Sequence, residues 1–151
     1  MAGLTQTTEK NVLEWLLKRT AMPSAPTTIF FALHSADPGD TGASELTSTG
    51  SYARAALAPD TNNSTNTNYN AIDQSAAASK ITNKLDITFP AATASWNGGS
   101  PIQYFSIWDA STAGTCWWTG TIAGGTGVVV LNGSTLKFTG GSPGQLSVTL
   151  D

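Results

Sequence analysis

His34 is the single histidine of this sequence, and histidine is the side chain that most often activates a nucleophile or binds a transition metal. A serine nucleophile with a base beside it, or a metal site rich in histidine, would have to use this residue. His34 ends an apolar stretch and stands directly before a turn, a position that favours a structural hydrogen bond. We therefore expect no catalytic residue and no enzymatic activity.

Asp37, Asp40, Glu45 and Asp109 are acidic side chains that could converge on Ca²⁺, a hard cation that binds several oxygen ligands. Their spacing is not that of an EF-hand loop, and Asp beside Pro38 in a glycine-containing stretch is common in turns. We therefore expect no bound metal or cofactor, and structural roles for these turn residues. A glycosidase-type pair of carboxylates stays open, although the ten acidic residues lie mostly in turns.

Arg54 follows Tyr52 in a short segment that we expect to be extended. A guanidinium in such a place could bind a substrate or form a buried ion pair. We prefer the second interpretation, with Asp37 or Asp109 as the partner carboxylate. Arg54 and Tyr52 are then residues that stabilise the fold.

Five tryptophans and three tyrosines raise the hypothesis of sugar binding, since exposed aromatic rings stack on sugars. Trp15, Trp108, Trp117 and Trp118 lie in segments with an apolar pattern, which favours the core or a contact between subunits. Trp96 stands beside a glycine-rich turn. It is our candidate for an exposed ring that contacts a partner.

Charged residues make up 11% of the chain, whereas soluble domains usually carry about 25%. Because charge normally keeps soluble proteins apart, a surface rich in Gly, Ser, Thr, Asn and Ala opposes self-association only weakly. The composition therefore favours a protein that packs against copies of itself or against a larger assembly. The alternative is an extracellular β-domain with a neutral surface.

The charge pattern also excludes some partners. The net charge is −3, and the seven basic residues form no run, so we expect neither nucleic-acid binding nor a polybasic membrane patch. No segment approaches the roughly 20 apolar residues that span a bilayer, and the polar first ten residues are not typical of a signal peptide. Cys116 is the single cysteine, which rules out an internal disulfide; its apolar surroundings predict a small buried side chain.

Residues 8–19 predict one amphipathic helix, with Thr8 as its N-terminal cap and basic residues in its last turn. Val12, Trp15 and Leu16 share a face, and two further leucines widen the apolar stripe. We expect this face to pack on the protein's own β-domain; the alternative is an arm that docks on a neighbouring subunit. Prolines after the helix indicate an extended arm, so we divide the chain into residues 1–26 and residues 27–151.

The rest of the sequence reads as short strands separated by turns, which predicts a mainly β fold: a β-sandwich, most similar to a jelly roll. Residues 59–70 are polar and aperiodic and predict a surface loop. Asn132-Gly133 predicts a tight hairpin between its flanking strands. The expected strands cover residues 27–34, 51–57, 84–89, 102–108, 116–122, 128–131, 136–138 and 146–150.

Several motifs follow one another in a particular order along almost the whole chain. They are the helix at 8–19, the Asp37-Pro38-Gly39-Asp40 turn, Ser-Tyr-Ala-Arg at 51–54, Thr-Phe-Pro-Ala-Ala-Thr at 88–93 before Trp96, the aromatic strand that closes on Trp108-Asp109-Ala110, and Val-Thr-Leu-Asp at 148–151. This order resembles a family of small tailed-phage virion proteins that carry tail-fibre or head-decoration labels. The Asn/Thr-rich loop between residues 58 and 80 departs from the family pattern.

The resemblance implies a structural protein of the phage virion, assembled in the host cytoplasm. Our favoured expectation is a capsid decoration or cement protein, a homotrimer that binds the major capsid protein. The alternative is a tail-fibre or baseplate component that binds tail proteins and a host-surface glycan or receptor. A carbohydrate-binding module is the third class. The candidate assembly contacts are Val12, Trp15, Leu16 and Trp96.

Overall fold

The computed structural model describes residues 3–62, 64–76 and 78–150. Its regular elements are mostly short antiparallel strands, and one α-helix stands near the N-terminus. This confirms the expected mainly β fold with an N-terminal helix. In chain order the elements are β1 (Gly3–Leu4), α1 (Gln6–Lys18), β2 (Ile29–His34), β3 (Ala55–Leu57), β4 (Ser79–Thr82), β5 (Ile87–Thr88), β6 (Tyr104–Trp108), β7 (Cys116–Thr121), β8 (Lys137–Phe138) and β9 (Ser147–Leu150).

The main sheet contains five antiparallel strands in the order β1-β7-β6-β2-β3. Successive residues of a strand face opposite sides of a sheet, and β2 is buried on both sides. Phe31 and Leu33 enter the main core, whereas Ala32 packs with Trp108 and Cys116 on the other face. This confirms the two-sided burial predicted for residues 27–34. The expected hairpin of β6 and β7 is also formed.

A second layer lies across the core from this sheet and consists of two ribbons, β4 with β9 and β5 with β8. Ile87 and Phe138 of this layer, and Leu146 directly before β9, belong to the same apolar cluster as Phe31 and Phe105 of the main sheet. The arrangement is sandwich-like. The jelly-roll topology is not confirmed, because the second layer is split into separate ribbons among the described strands.

The sequence predicted that the two segments flanking Asn132-Gly133 pair as a hairpin, and this prediction is wrong. A turn does form there, with Ser134 donating to the carbonyl of Leu131 at 3.0 Å. However, Val128 bridges to Ile102, and β8 pairs with β5 rather than with the preceding segment. The segments before and after the turn each place a buried side chain in the core. The backbone of each segment is hydrogen-bonded to a segment that is distant in sequence.

Other boundaries also differ from expectation. The strand predicted at 51–57 is reduced to β3, because Thr49–Ser51 form a 3₁₀ turn. β4 was not predicted; it begins at the end of the long loop and ends before the strand expected at 84–89. At the start of that loop, Asp60 accepts backbone hydrogen bonds from residues 67, 68 and 69 at 2.8–3.2 Å. The loop at 59–70 is therefore tied down by one carboxylate, and β4 follows it.

The C-terminal strand β9 pairs with β4 in antiparallel register, so the alternating residues at 146–150 do join a ribbon. Asp151, which ends the matched C-terminal motif, lies outside the described residues. At the other end, β1 pairs with β7 at the edge of the main sheet and places α1 beside that strand. The division at residue 26 stays a prediction.

Candidate functional site: the exposed face of the N-terminal helix

The first turn of α1 is fixed to the main sheet by two threonines. Thr5, not Thr8, is the N-terminal cap, and its hydroxyl accepts from the backbone N–H of Thr8. The Thr5 hydroxyl also donates to the carbonyl of Cys116 at 2.6 Å, and the Thr8 hydroxyl donates to that of Trp117 at 2.9 Å. Both threonines are buried against β7. The helix is therefore anchored at its N-terminal end.

Beyond that turn, the apolar residues of α1 are exposed. The exposed fraction rises from 36% at Val12 to 72% at Leu17, with Trp15 at 55%. In α1, Thr8 is the one residue with a buried side chain. The expectation that the apolar face packs on the protein's own β-domain is therefore wrong. The reason is geometric, because a helix held only by its first turn projects beyond the sheet.

The charges of α1 are arranged around this face. Lys10 donates to Glu14 at 2.7 Å, an i, i+4 pair, and this hydrogen bond lowers the pKa of Glu14. Glu9 precedes the apolar residues and Arg19 follows them; neither makes an ion pair with another residue in the described ranges. Arg19 is the C-terminal cap, with φ of 57°.

A shallow depression of about 430 Å³ lies where α1 meets the arm. It is lined by Trp15, Leu16, Arg19, Thr20 and Ala21. The guanidinium-bearing residue and two of the exposed apolar side chains thus share one surface. This depression is open to a partner and is not filled by the described part of the chain.

Trp96, predicted to be an exposed contact, is instead a core residue with 2% exposure. Its ring meets Tyr52 edge-on at 5.3 Å and Phe89 at 6.4 Å, and its indole N–H donates to the carbonyl of Gly50 at 2.8 Å. The Gly-rich turn beside it does not expose it, because residues 96–99 fold as a 3₁₀ turn with the ring directed inward. Trp96 is therefore excluded as an assembly contact.

Arg54 forms a largely buried ion pair, but with Glu45 rather than with Asp37 or Asp109. Its Nε and Nη2 donate to the two carboxylate oxygens at 2.9 and 2.7 Å. Nη1 donates to the carbonyls of Ala110 and Ala113, and the guanidinium carbon stands 4.0 Å from the Trp108 ring centroid. The pair locks the turns at 45 and 110–113 together, which is the folding role that was expected.

Tyr52 extends the same network. Its hydroxyl accepts from the backbone N–H of Leu33 at 2.8 Å and donates to Glu45 at 3.2 Å. Burial raises the pKa of Tyr52 well above its ordinary value. The side chains of the sequence motif at 51–54 therefore connect β2 to neighbouring turns through hydrogen bonds within the protein.

His34 has the structural role predicted for it. Its Nδ1–H donates to the carbonyl of Ala43 at 2.7 Å, and its Nε2 accepts from the hydroxyl of Ser106 at 2.6 Å. The indole N–H of Trp108 donates to that same hydroxyl oxygen at 2.6 Å. Since a carbonyl can only accept, Nδ1 carries the proton of the neutral imidazole, and Nε2 is its acceptor. Burial lowers the pKa of His34.

Residues 140–144 read Gly-Gly-Ser-Pro-Gly and match the Gly-x-Ser-x-Gly pattern of hydrolases. In those enzymes the serine sits on a turn between a strand and a helix. Here the segment is a turn between β8 and β9, and His34 is occupied by Ser106 and Ala43. The pattern is therefore not the nucleophile turn of that fold.

The aspartates Asp37 and Asp109 of the sequence motifs accept hydrogen bonds from the backbone of their own turns. Asp37 accepts from the backbone of Gly39 at 2.9 Å, and Pro38 is fully buried. Asp109 accepts from the backbone of Thr115 at 2.7 Å and from the indole of Trp117 at 3.2 Å. Asp40 is exposed. Within the described ranges, no three His, Cys, Asp or Glu residues are grouped so as to hold a metal ion.

A second concave surface lies on the β-domain. It is a groove of about 320 Å³ between the main sheet and the β4–β9 ribbon, lined by Phe31, Ile107, Val148 and Ile72 among others. Tyr69 also lines it, and its buried hydroxyl has no hydrogen-bond partner among the described residues. Leaving such a group unpaired costs about 1–3 kcal/mol. Burial raises the pKa of this phenol.

The fold and the exposed helix define a β-rich protein with an unpartnered apolar element at one end. Within the described residues, no helix combines the length and apolar character needed to cross a membrane. The family model described as Podophage GP4 fiber I protein gp80 matches residues 3–149. The chain therefore belongs to this family, which is a family of phage virion structural proteins. It matches no curated protein.

Proposed function

We propose that this protein is a non-enzymatic component of a virion fibre, and that it joins its assembly through the exposed face of α1. The observation that carries the proposal is the exposure of Val12, Leu13, Trp15, Leu16 and Leu17 on a helix held only by its first turn. An apolar surface of this kind is typical of a protein contact. The family match supports the fibre assignment over capsid decoration, because its description names a fibre protein.

The energetics support assembly through this face. Burying a half-exposed leucine or tryptophan contributes about 1–2 kcal/mol, so five such side chains offset a substantial part of the entropy lost on association. One helix face makes a small interface, and small interfaces are weak when isolated. Repeated copies in a particle would strengthen such a contact through high effective concentration.

The low charge of the chain is consistent with this role. Only 11% of its residues are charged, and the side chain of Arg54 is buried in an ion pair with Glu45. A surface with so low a density of charge opposes the close packing of copies only weakly. The protein is therefore suited to a crowded, repetitive assembly.

The test is incorporation of an α1 variant into phage particles. Leu16→Asp places a charge on the exposed face, and Leu131→Asp makes the same change at another exposed leucine, in the turn at 131–134. We expect particles to lack the Leu16→Asp protein and to contain the Leu131→Asp protein at the wild-type level, as measured by quantitative mass spectrometry. Normal incorporation of Leu16→Asp would contradict the proposal.

The same measurement separates a fibre from capsid decoration. A fibre component is present at far fewer copies than the major capsid protein, because the fibres are few. A cement protein approaches a one-to-one ratio, since the capsid lattice supplies that many sites. We expect the low ratio, and a ratio near one would favour the decoration hypothesis.

A further inference from the structure

We infer that the partner of the α1 face is α1 of a second copy of this chain, packed antiparallel around a twofold axis. The inference rests on the proposed function, because it names the occupant of the same surface. Three features carry it: the spacing of the apolar residues, the placement of Glu9 and Arg19, and the direction of the helix.

The apolar residues suit an antiparallel pair. Glu9, Leu13 and Leu16 follow an i, i+4, i+7 spacing, so they lie along one face of the helix. Residue 14 is midway between Glu9 and Arg19. With the twofold axis at that level, Leu16 of one copy lies opposite Val12 of the second copy, so these two exposed side chains obtain an apolar neighbour. Leu13 and Trp15 project from opposite sides of the helix and do not face one another across the axis.

The two charges at the ends of this stripe are complementary only in the antiparallel arrangement. Glu9 and Arg19 are exposed and are about 15 Å apart along the axis, from the rise of 1.5 Å per residue. An antiparallel pair places Glu9 of each copy against Arg19 of the other, which makes two equivalent ion pairs. A parallel pair or a threefold parallel bundle instead brings Glu9 against Glu9 and Arg19 against Arg19.

Three further charges lie on α1, and none of them lies on the Glu9–Leu13–Leu16 face. Lys10 and Glu14 form their own ion pair, and Lys18 projects from the side of the helix opposite Glu9. The macrodipoles of two antiparallel helices are also opposed, so the positive N-terminal end of each lies beside the negative C-terminal end of the other. The structure thus assigns both the partner and its orientation.

The experiment measures the dissociation constant of the purified chain by analytical ultracentrifugation, at protein concentrations up to roughly 0.5 mM, where weak interfaces still associate. We expect the wild type to form a dimer. Glu9→Arg or Arg19→Glu alone should weaken it about tenfold at low salt, since each end changes from attraction to repulsion. An equimolar mixture of the two variants should restore wild-type affinity, because their heterodimer again has opposite charges at both ends.

Lys18→Glu is the matched control for Arg19→Glu. It makes the same change of net charge in the same helical turn, but at a residue that lies off the Glu9–Leu13–Leu16 face. We expect it to leave the dimer unchanged, and circular dichroism would check that each variant keeps its helix. In roughly 0.5 M salt, where screening extends over only a few ångströms, the difference between the variants should disappear.

Three results would overturn the inference. The first is a monomeric wild type, and the second is a dimer whose affinity does not respond to either single reversal. The third is loss of the dimer in Ile72→Asp, which would mean that α1 docks in the groove of the β-domain instead. Each leaves the proposed function standing if Leu16→Asp is still lost from particles, so the two failures are distinguishable.

Discussion

The β-domain and the N-terminal helix contain the same types of apolar side chain, but the β-domain buries them and the helix exposes them. In the β-domain, Trp96 is buried between Tyr52 and Phe89, with its N–H bonded to a backbone carbonyl. On α1, Trp15 is more than half exposed beside exposed leucines. The first arrangement stabilises the subunit itself. The second contributes little to the stability of the subunit itself, and it is the surface that we propose for assembly.

The comparison predicts that the largest loss of stability comes from Trp96→Ala. Removing this ring leaves a cavity in the core, whereas the Gly50 carbonyl keeps its hydrogen bond from the Thr93 N–H. We therefore expect the free energy of unfolding to fall by about 3–5 kcal/mol. Urea unfolding followed by tyrosine and tryptophan fluorescence measures this. A loss below about 1 kcal/mol would show that Trp96 is not part of a tightly packed core.

Arg54→Ala should give the next largest effect. Arg54 is 5% exposed and Glu45 is 25% exposed. The substitution therefore leaves the largely buried Glu45 carboxylate without its ion-pair partner, and it removes the cation over Trp108. We expect a loss of about 2–3 kcal/mol, somewhat below the cost of breaking a fully buried pair.

Arg54→Lys is the informative companion in the same urea experiment. Lysine keeps the charge but cannot make the bidentate contact or reach both carbonyls at 110 and 113. We expect it to recover only part of the loss. Full recovery would mean that charge alone, rather than the geometry of the guanidinium, stabilises this joint.

A smaller effect is expected from His34, through pH. Burial holds its pKa in the folded protein below the ordinary value of 6.5, so the unfolded chain takes up the proton more readily. The stability that neutral His34 contributes is fully present above pH 6.5 and is lost as the pH falls below that value. Urea midpoints measured between pH 7.5 and pH 5 should decrease, and the decrease should be smaller in His34→Gln. Parallel curves for the two proteins would refute this assignment.

The smallest effect on stability is expected at Trp15. Because its ring is exposed, Trp15→Ala should change the free energy of unfolding by less than about 0.5 kcal/mol. Its effect should appear only in association, as a weaker dimer in ultracentrifugation. A marked loss of stability in the monomer would mean that α1 packs on its own β-domain after all, and the contrast with Trp96 would disappear.

The sequence predicted local features well. Alternating or doubly apolar stretches located β2, β6, β7 and β9, and the position of His34 after an apolar strand predicted its structural role. These predictions succeeded because the period of the apolar residues and the chemistry of turns act within a few residues. The order of short motifs also predicted the virion family, which the family match confirms.

The partners of these segments were decided by the tertiary structure. Asn132-Gly133 specified a turn, but β8 pairs with β5 across the core. Arg54 was expected to pair with an aspartate and instead reaches Glu45, because the contact depends on where two distant turns meet. The local sequence placed Trp15 in an apolar pattern and Trp96 beside a glycine-rich turn, and it wrongly predicted that the Trp96 ring is exposed. Burial is a property of the assembled surfaces, so only the fold determined that one ring is enclosed and the other is left for a partner.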